Sequence, residues 1–261
     1  MDKHKESFSR LVKIMNELRE QCPWDQKQTL ESLRYLTIEE VYELSDAILD
    51  KDMNEIKKEL GDLLLHIVFY ARIASEKKDF DISDVINTLC DKLIDRHPHI
   101  YADVKVENAE EVKKNWEQIK MKEGRRSVLG GVPKSLPAIV KAFRIQEKVR
   151  GIGFDWEDKN QVWDKVLEEM EELKVEISNG NQERIESEFG DLLFALTNYS
   201  RFINVNPEDA LERTNKRFIK RFQIMETLLE NKKLRLDKMT LKQMDVYWNQ
   251  AKEIYSSENK N

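Results

Sequence analysis

The chain states one acidic pattern twice, and that duplication narrows its possible folds more than any other feature. Glu39, Glu40 and Glu43 precede a break at Asp50-Lys51-Asp52, and Glu59 and Asp62 follow it. Displaced by 129 residues, Glu168, Glu169 and Glu172 precede Ser178-Asn179-Gly180, and Glu188 and Asp191 follow. Both copies read E-E-x-x-E and then E-x-G-D-L-L. Self-similarity at one fixed offset predicts a duplicated structural unit.

The helix period predicts what each unit does with its acids. At roughly 100° per residue, Glu39, Glu40 and Glu43 fall on one stripe, and Glu59 and Asp62 are three residues apart on another. Glu43 lies eight residues before Lys51, and Glu59 seven after Asp52. At 1.5 Å per residue these are runs of roughly 12 and 10 Å. A helical hairpin therefore returns the second acids to the height of the first. Glu172, Gly180, Asn181 and Glu188 repeat that arithmetic.

Carboxylates facing one another across a hairpin repel, and no Lys or Arg is interleaved between Glu39 and Glu43. A hard divalent cation relieves that repulsion. Magnesium takes oxygen ligands and commonly sits between carboxylates and substrate phosphates. One E-E-x-x-E alone reads as a solvated acidic face. Two copies with the same spacing, each abutting an apolar run, read as two metal sites.

At 261 residues the chain has room for two domains, which the repeat offset matches. Its 36% charged residues and net charge of −6 predict a soluble protein and argue against general nucleic-acid binding, and a reducing cytoplasm suits its cysteine content. The longest apolar run is far too short to span a membrane, and the mixed charges of Asp2 to Glu6 do not resemble a secretory leader. Two cysteines, Cys22 and Cys90, make no disulfide framework.

Helical periodicity runs through the whole chain. Phe8, Leu11, Val12, Met15 and Leu18 mark a first helix, which Cys22-Pro23-Trp24-Asp25 ends. The acidic hairpin follows, its second helix apolar nearly all round from Leu63 to Tyr70 and so expected to be central. A fourth helix begins after Asp81 and stops at Arg96-His97-Pro98, and a fifth, opening at Asn108, carries Trp116 and Lys120. Glycines and prolines punctuate residues 121–137 as a linker. The second half replays the order from Pro137 through Gly153-Phe154-Asp155-Trp156. Asn206-Pro207 and Thr240-Leu241-Lys242-Gln243 open its last two helices, and the final one carries Trp248 and Lys252. The expectation is all-α: two tandem helical domains of about five helices each, over residues 1–120 and 138–261, packed like four-helix bundles and completed by dimerisation.

Phosphate chemistry also needs cations. Lys92 and Arg96 lie four residues apart, with His97 and His99 just beyond. Arg213, Lys216, Arg217, Lys220 and Arg221 crowd the matching helix of the second half. Arginine suits phosphate through its planar fork and lysine as a point charge. His66, on an apolar helix, reads as a core histidine.

The duplicated E-E-x-x-E and E-x-x-D set, with Cys22-Pro23-Trp24-Asp25, Arg96-His97-Pro98-His99, Gly153-Phe154-Asp155-Trp156 and two Trp-x-x-x-Lys helices, closely resembles the MazG nucleoside triphosphate pyrophosphohydrolases. The resemblance covers nearly the whole chain. It implies an all-α homodimeric enzyme that uses Mg²⁺, with Mn²⁺ as a substitute. Such enzymes cut ribo- and deoxyribonucleoside triphosphates between the α and β phosphates, releasing the monophosphate and pyrophosphate. It also implies metal ligands at Glu169, Glu172, Glu188 and Asp191, and at Glu40, Glu43, Glu59 and Asp62. Substrate contacts carry over to Arg217, Lys220, Arg221, Trp248 and Lys252, and to Lys92, Arg96, Trp116 and Lys120. The family usually has Lys where this chain has Arg217, with Lys216 adjacent. In some members only the C-terminal half is catalytic, and that half is the expected main site here, although nothing in the N-terminal half is visibly broken.

No residues are spaced for covalent catalysis, so the expected attacking group is a metal-bound water. Glu168 and Glu39 are the candidates to orient or deprotonate it, and Arg221 and Lys252 to offset charge on the leaving group. A di-iron protein would want Glu-x-x-His, which none of the four histidines provides. The remaining alternatives are a nucleotide-binding regulatory module and a base-specific relative, dUTPase-like or a phosphoribosyl-ATP pyrophosphohydrolase.

Overall fold

The computed structural model describes residues 2–106, 108, 111, 112, 115 and 127–258, and among these there are helices and turns but no strand. The chain divides into two compact units, Met1–Ile119 and Lys120–Asn261. The first holds α1 (Asp2–Gln21), α2 (Leu30–Asp50), α3 (Met53–Glu76), α4 (Ile82–Arg96) and the single turn α5 (Pro98–Tyr101). The second holds α6 (Ala138–Arg150), α7 (Lys159–Asn179), α8 (Gln182–Phe202), α9 (Pro207–Asn231) and α10 (Leu241–Glu258).

Local chemistry sets most of the helix ends. Thr29 caps α2 in a reciprocal box with Ser32, and Asp81 caps α4 in the same way with Asp84. Asn206 accepts from the Glu208 and Asp209 amides, with Pro207 in the first turn of α9. At α10, the Thr240 amide donates to Gln243 Oε1 at 2.8 Å, and the Gln243 amide donates back to Thr240 Oγ1 at 3.4 Å. Asn108 Oδ1 accepts from the Glu111 amide, but Trp116 and Lys120 lie outside the described residues.

The first unit is built on the α2–α3 hairpin, with α1 and α4 packed against α3. Its core gathers Met15, Leu33, Val68, Phe69 and Ile73, with Phe8, Leu11 and Val12 from α1 packed around them. Each largely removes a side chain from water, worth about 1.5–3 kcal/mol apiece for residues of this size. Arg19 ties the far end of α1 to α3 through two bonds to Glu76, at 2.7 and 3.0 Å. The apolar run of α3 is buried on one side only: Val68 and Phe69 are inside, while Leu60, Leu64 and Ile67 face solvent. The helix is central all the same, since α1, α2 and α4 all pack against it.

In the second unit α7 and α8 form the matching hairpin, α6 packs on α8, and α9 pairs with α10 and touches α6. Here the described core cluster lies between α9 and α10, at Met225, Leu229 and Ala251. On the hairpin, α7 buries Val162 and Val166, while α8 buries Ala195 and small polar groups that bond back to the chain. Thr197 donates to the Leu193 carbonyl, Ser200 to the Thr197 carbonyl, and Gln146 of α6 to the Phe194 carbonyl. The loop ahead of α7 turns at Gly153, whose φ of 87° suits glycine. Asp155 pins that loop to Arg201 at 2.6 Å, with the arginine side chain only 5% exposed.

Candidate active site

Each hairpin turns through one left-handed residue followed by a capping residue. Lys51 (φ 59°) closes α2 and Asp52 caps α3; Gly180 (φ 73°) closes α7 and Asn181 caps α8. The turn brings three carboxylates together in each copy. One oxygen each from Glu40, Glu43 and Glu59 lies within 4.8 Å of the others, and so does one each from Glu169, Glu172 and Glu188. Asp62 and Asp191 stand outside these trios but close enough to act on them electrostatically. Glu39 and Glu168 are exposed beside the trios, about 100° round the helix from the glutamate that follows each.

The clusters hold their charges at a cost. The Glu40 carboxyl is pushed above its ordinary range by burial, then by Asp62, Glu59 and Glu43. The Glu188 carboxyl is raised by desolvation first and then by Glu172, Asp191 and Glu169. Glu59 is 2% exposed, and its Oε2 has no hydrogen-bond partner. A buried carboxylate oxygen without a donor beside two more carboxylates fits a hard cation, because an all-oxygen donor set suits magnesium or manganese.

Sequence reasoning missed two lysines. Lys165 Nζ bridges Glu168 at 2.7 Å and Glu169 at 2.8 Å, and Lys58 Nζ bridges Glu59 at 3.0 Å and Glu55 at 3.2 Å. Cations do reach both acidic sets, one from a turn earlier on its helix and the other from beside its acid. The signal for Lys165 was present, since it stands three and four residues before its partners.

The cationic candidates are mounted on other elements. In the second unit Arg217, Lys220 and Arg221 lie on α9, and Trp248 and Lys252 on α10. Arg221 is half-buried with its guanidinium 5.0 Å over the Tyr255 ring, and its Nε is buried without a hydrogen-bond partner. Trp248 packs on Phe218 at 5.1 Å and joins the α9–α10 core, and Lys252 is half-buried one turn on. Arg217 and Lys220 are exposed, and Arg217 donates to Thr214. In the first unit Lys92 is exposed and Arg96 half-buried, both on α4. His66 is a core residue, 7% exposed and edge-on to Tyr70. The main packing of α9 is with α10 and α6, so carboxylates and cations sit on separate helix pairs joined through α6.

The MazG nucleotide pyrophosphohydrolase domain is matched twice, at residues 28–101 and 158–224. Each match contains one carboxylate trio. A nucleoside triphosphate pyrophosphohydrolase/pyrophosphatase of Thermotoga maritima is 46% identical over 250 residues, 94% of this chain and 95% of its own length. A nucleoside triphosphate pyrophosphohydrolase of Escherichia coli strain K12 is 40% identical over 254 residues, 94% of this chain and 97% of its own. One from Mycobacterium tuberculosis is 37% identical over 54% of this chain and 44% of its own. With the domain present in both halves and such relatives aligned nearly end to end, the chain belongs to the MazG nucleotide pyrophosphohydrolase family, hydrolases of phosphoric anhydrides.

Proposed function

We propose that this chain hydrolyses ribo- and deoxyribonucleoside triphosphates between the α and β phosphates, giving the monophosphate and pyrophosphate, with Mg²⁺ as cofactor and Mn²⁺ as a substitute. The observation that carries this reading is the carboxylate trio, built twice, each including one buried glutamate. Glu169, Glu172 and Glu188, with Asp191 at the edge, would hold the cation in the second half; Glu40, Glu43, Glu59 and Asp62 would do so in the first. When bound, the cation supplies Lewis acidity toward phosphate oxygens and the attacking water.

The chain's own groups do the rest. Glu168, exposed beside its trio, would orient water and accept its proton, as would Glu39 in the first half. Arg221 and Lys252 would offset charge on the departing pyrophosphate. Arg217, Lys220 and Trp248 complete the substrate contacts in the second half, and Lys92, Arg96, Trp116 and Lys120 would serve the first. The C-terminal half is the expected main site, since it alone has its full set of candidate cations among the described residues. Within each hairpin a row of large apolar residues faces solvent: Val41, Tyr42, Leu60 and Ile67 in one, Leu167, Phe189, Leu193 and Leu196 in the other. Such faces suit an isologous homodimer that brings further helices to each site. A cytoplasmic setting follows from the substrate, and no helix among the described residues is long and apolar enough to cross a membrane.

Product analysis with Mg²⁺ and a panel of nucleoside triphosphates tests the proposal. Monophosphate and pyrophosphate in equal amounts are expected. Nucleotide binding without pyrophosphate release would make the chain a regulatory binding module, and cleavage of one base alone a specialised relative.

A further inference from the structure

Each acidic hairpin carries one lysine that ties a trio member to an acid outside the trio. In the second half Lys165 links Glu169, a trio member, to Glu168; in the first, Lys58 links Glu59, a trio member, to Glu55. The two lysines do not descend from one repeated position. Displaced by the repeat offset, Lys165 falls on Leu36, and Lys58 falls on Ser187. The trios are repeated residue for residue, so the lysines are separate solutions to one electrostatic problem.

In each case the gripped acid is the most buried of its trio. Glu59 is 2% exposed and Glu169 7%, which makes their charges the hardest to leave uncompensated. Lys58 is exposed and Lys165 half-buried, so each ammonium can withdraw into water on its flexible stem.

We propose that Lys165 and Lys58 are internal counter-ions of the two carboxylate trios, holding them together when no metal is bound and competing with the divalent cation for Glu169 and Glu59. Metal affinity at each site is thereby set below what the carboxylates alone would give, and the lysine released by the cation becomes a mobile positive charge at the rim of the site. The inference rests on the metal-site reading above and concerns how occupancy of that site is regulated.

The test is Mn²⁺ titration by calorimetry on the full chain carrying Glu40→Gln and Glu43→Gln, so that only the second trio reports. Adding Lys165→Met is expected to tighten Mn²⁺ binding about three- to five-fold, the upper end of what removing one incompletely buried ion pair gives. It is also expected to lower the melting temperature of the metal-free protein. Lys165→Arg, which keeps the charge, is expected to stay within about two-fold of its parent. Unchanged or weaker binding in Lys165→Met overturns the counter-ion and leaves the metal site standing. If the parent shows no Mn²⁺ binding that Glu169→Gln with Glu172→Gln removes, the metal site itself fails and the counter-ion with it.

Discussion

The second helix of the first hairpin buries large apolar side chains, whereas its counterpart in the second buries Ala195 and small polar groups and leaves the apolar burial of that hairpin to Val162 and Val166 of α7. Val68 and Phe69 of α3 lie at the centre of the first core. One repeat later the same positions are Thr197 and Asn198, and the apolar cluster of the second unit sits instead between α9 and α10. The salt bridges that fasten each hairpin differ as well: Arg19 to Glu76 in the first, Arg201 to Asp155 in the second. Backbone turn and carboxylates were kept through the duplication while their supports were rebuilt. The chemistry therefore depends on the height and phase of two helices, and many kinds of packing can supply those.

The comparison breaks or sharpens most directly at the trios. Glu169→Gln with Glu172→Gln is expected to lower pyrophosphate release roughly 100-fold or more, and Glu40→Gln with Glu43→Gln to lower it far less. Equal losses in a Mg²⁺ assay would mean two working sites. Next in size, Asp155→Ala removes the charged partner of a guanidinium that is 5% exposed, leaving it the Asn198 amide oxygen, and is expected to destabilise the second unit by about 2–3 kcal/mol in urea unfolding. Arg221→Ala is expected to cost roughly 100-fold in kcat with a smaller change in KM, as loss of one preorganised charge donor does. An unaffected kcat would remove Arg221 from the leaving-group role.

Smaller effects separate the two fastenings and the two turns. Arg19 holds the Glu76 carboxyl below its ordinary range, chiefly through its hydrogen bond. A depressed carboxyl stabilises the fold fully above its unfolded value, near pH 4.3, and that contribution is lost as pH falls through the lowered value. Glu76→Gln should therefore cost about 0.5–1 kcal/mol at neutral pH, with the gap to wild type closing on acidification below about pH 4. Gly180→Ala should destabilise by about 1 kcal/mol, because its φ of 73° is strained for any side chain although the space is open. Lys51→Gly, at the matching left-handed residue, should stabilise by up to about 1 kcal/mol. A shift of opposite sign in thermal unfolding would show that Lys51 makes a contact worth more than its strain.

Reading along the chain found what is local. The caps at Asp81, Asn206 and Thr240 involve residues two or three apart, so the groups that decide those helix ends stand side by side in the sequence. The repeat likewise exposed the carboxylates, because a motif stated twice is hard to mistake for an acidic surface. Lys165 is equally local, but the first copy has Leu36 at that position, so the repeat does not mark it. Arg19 with Glu76 and Arg201 with Asp155 are 57 and 46 residues apart, and no periodicity announces such pairs.

The sequence by itself determined that the chain is helical, that it is a duplication, and which acids face one another across each hairpin, because helix phase and turn position are properties of neighbouring residues. Tertiary structure alone decided which acids close into a trio, leaving Asp62 and Asp191 at the edge and Glu39 and Glu168 to the side. It also decided which lysines compensate them and which face of α3 remains open. Those outcomes depend on how two helices rotate against each other and on which charges burial makes costly, and both are set by packing across the hairpin rather than along the chain.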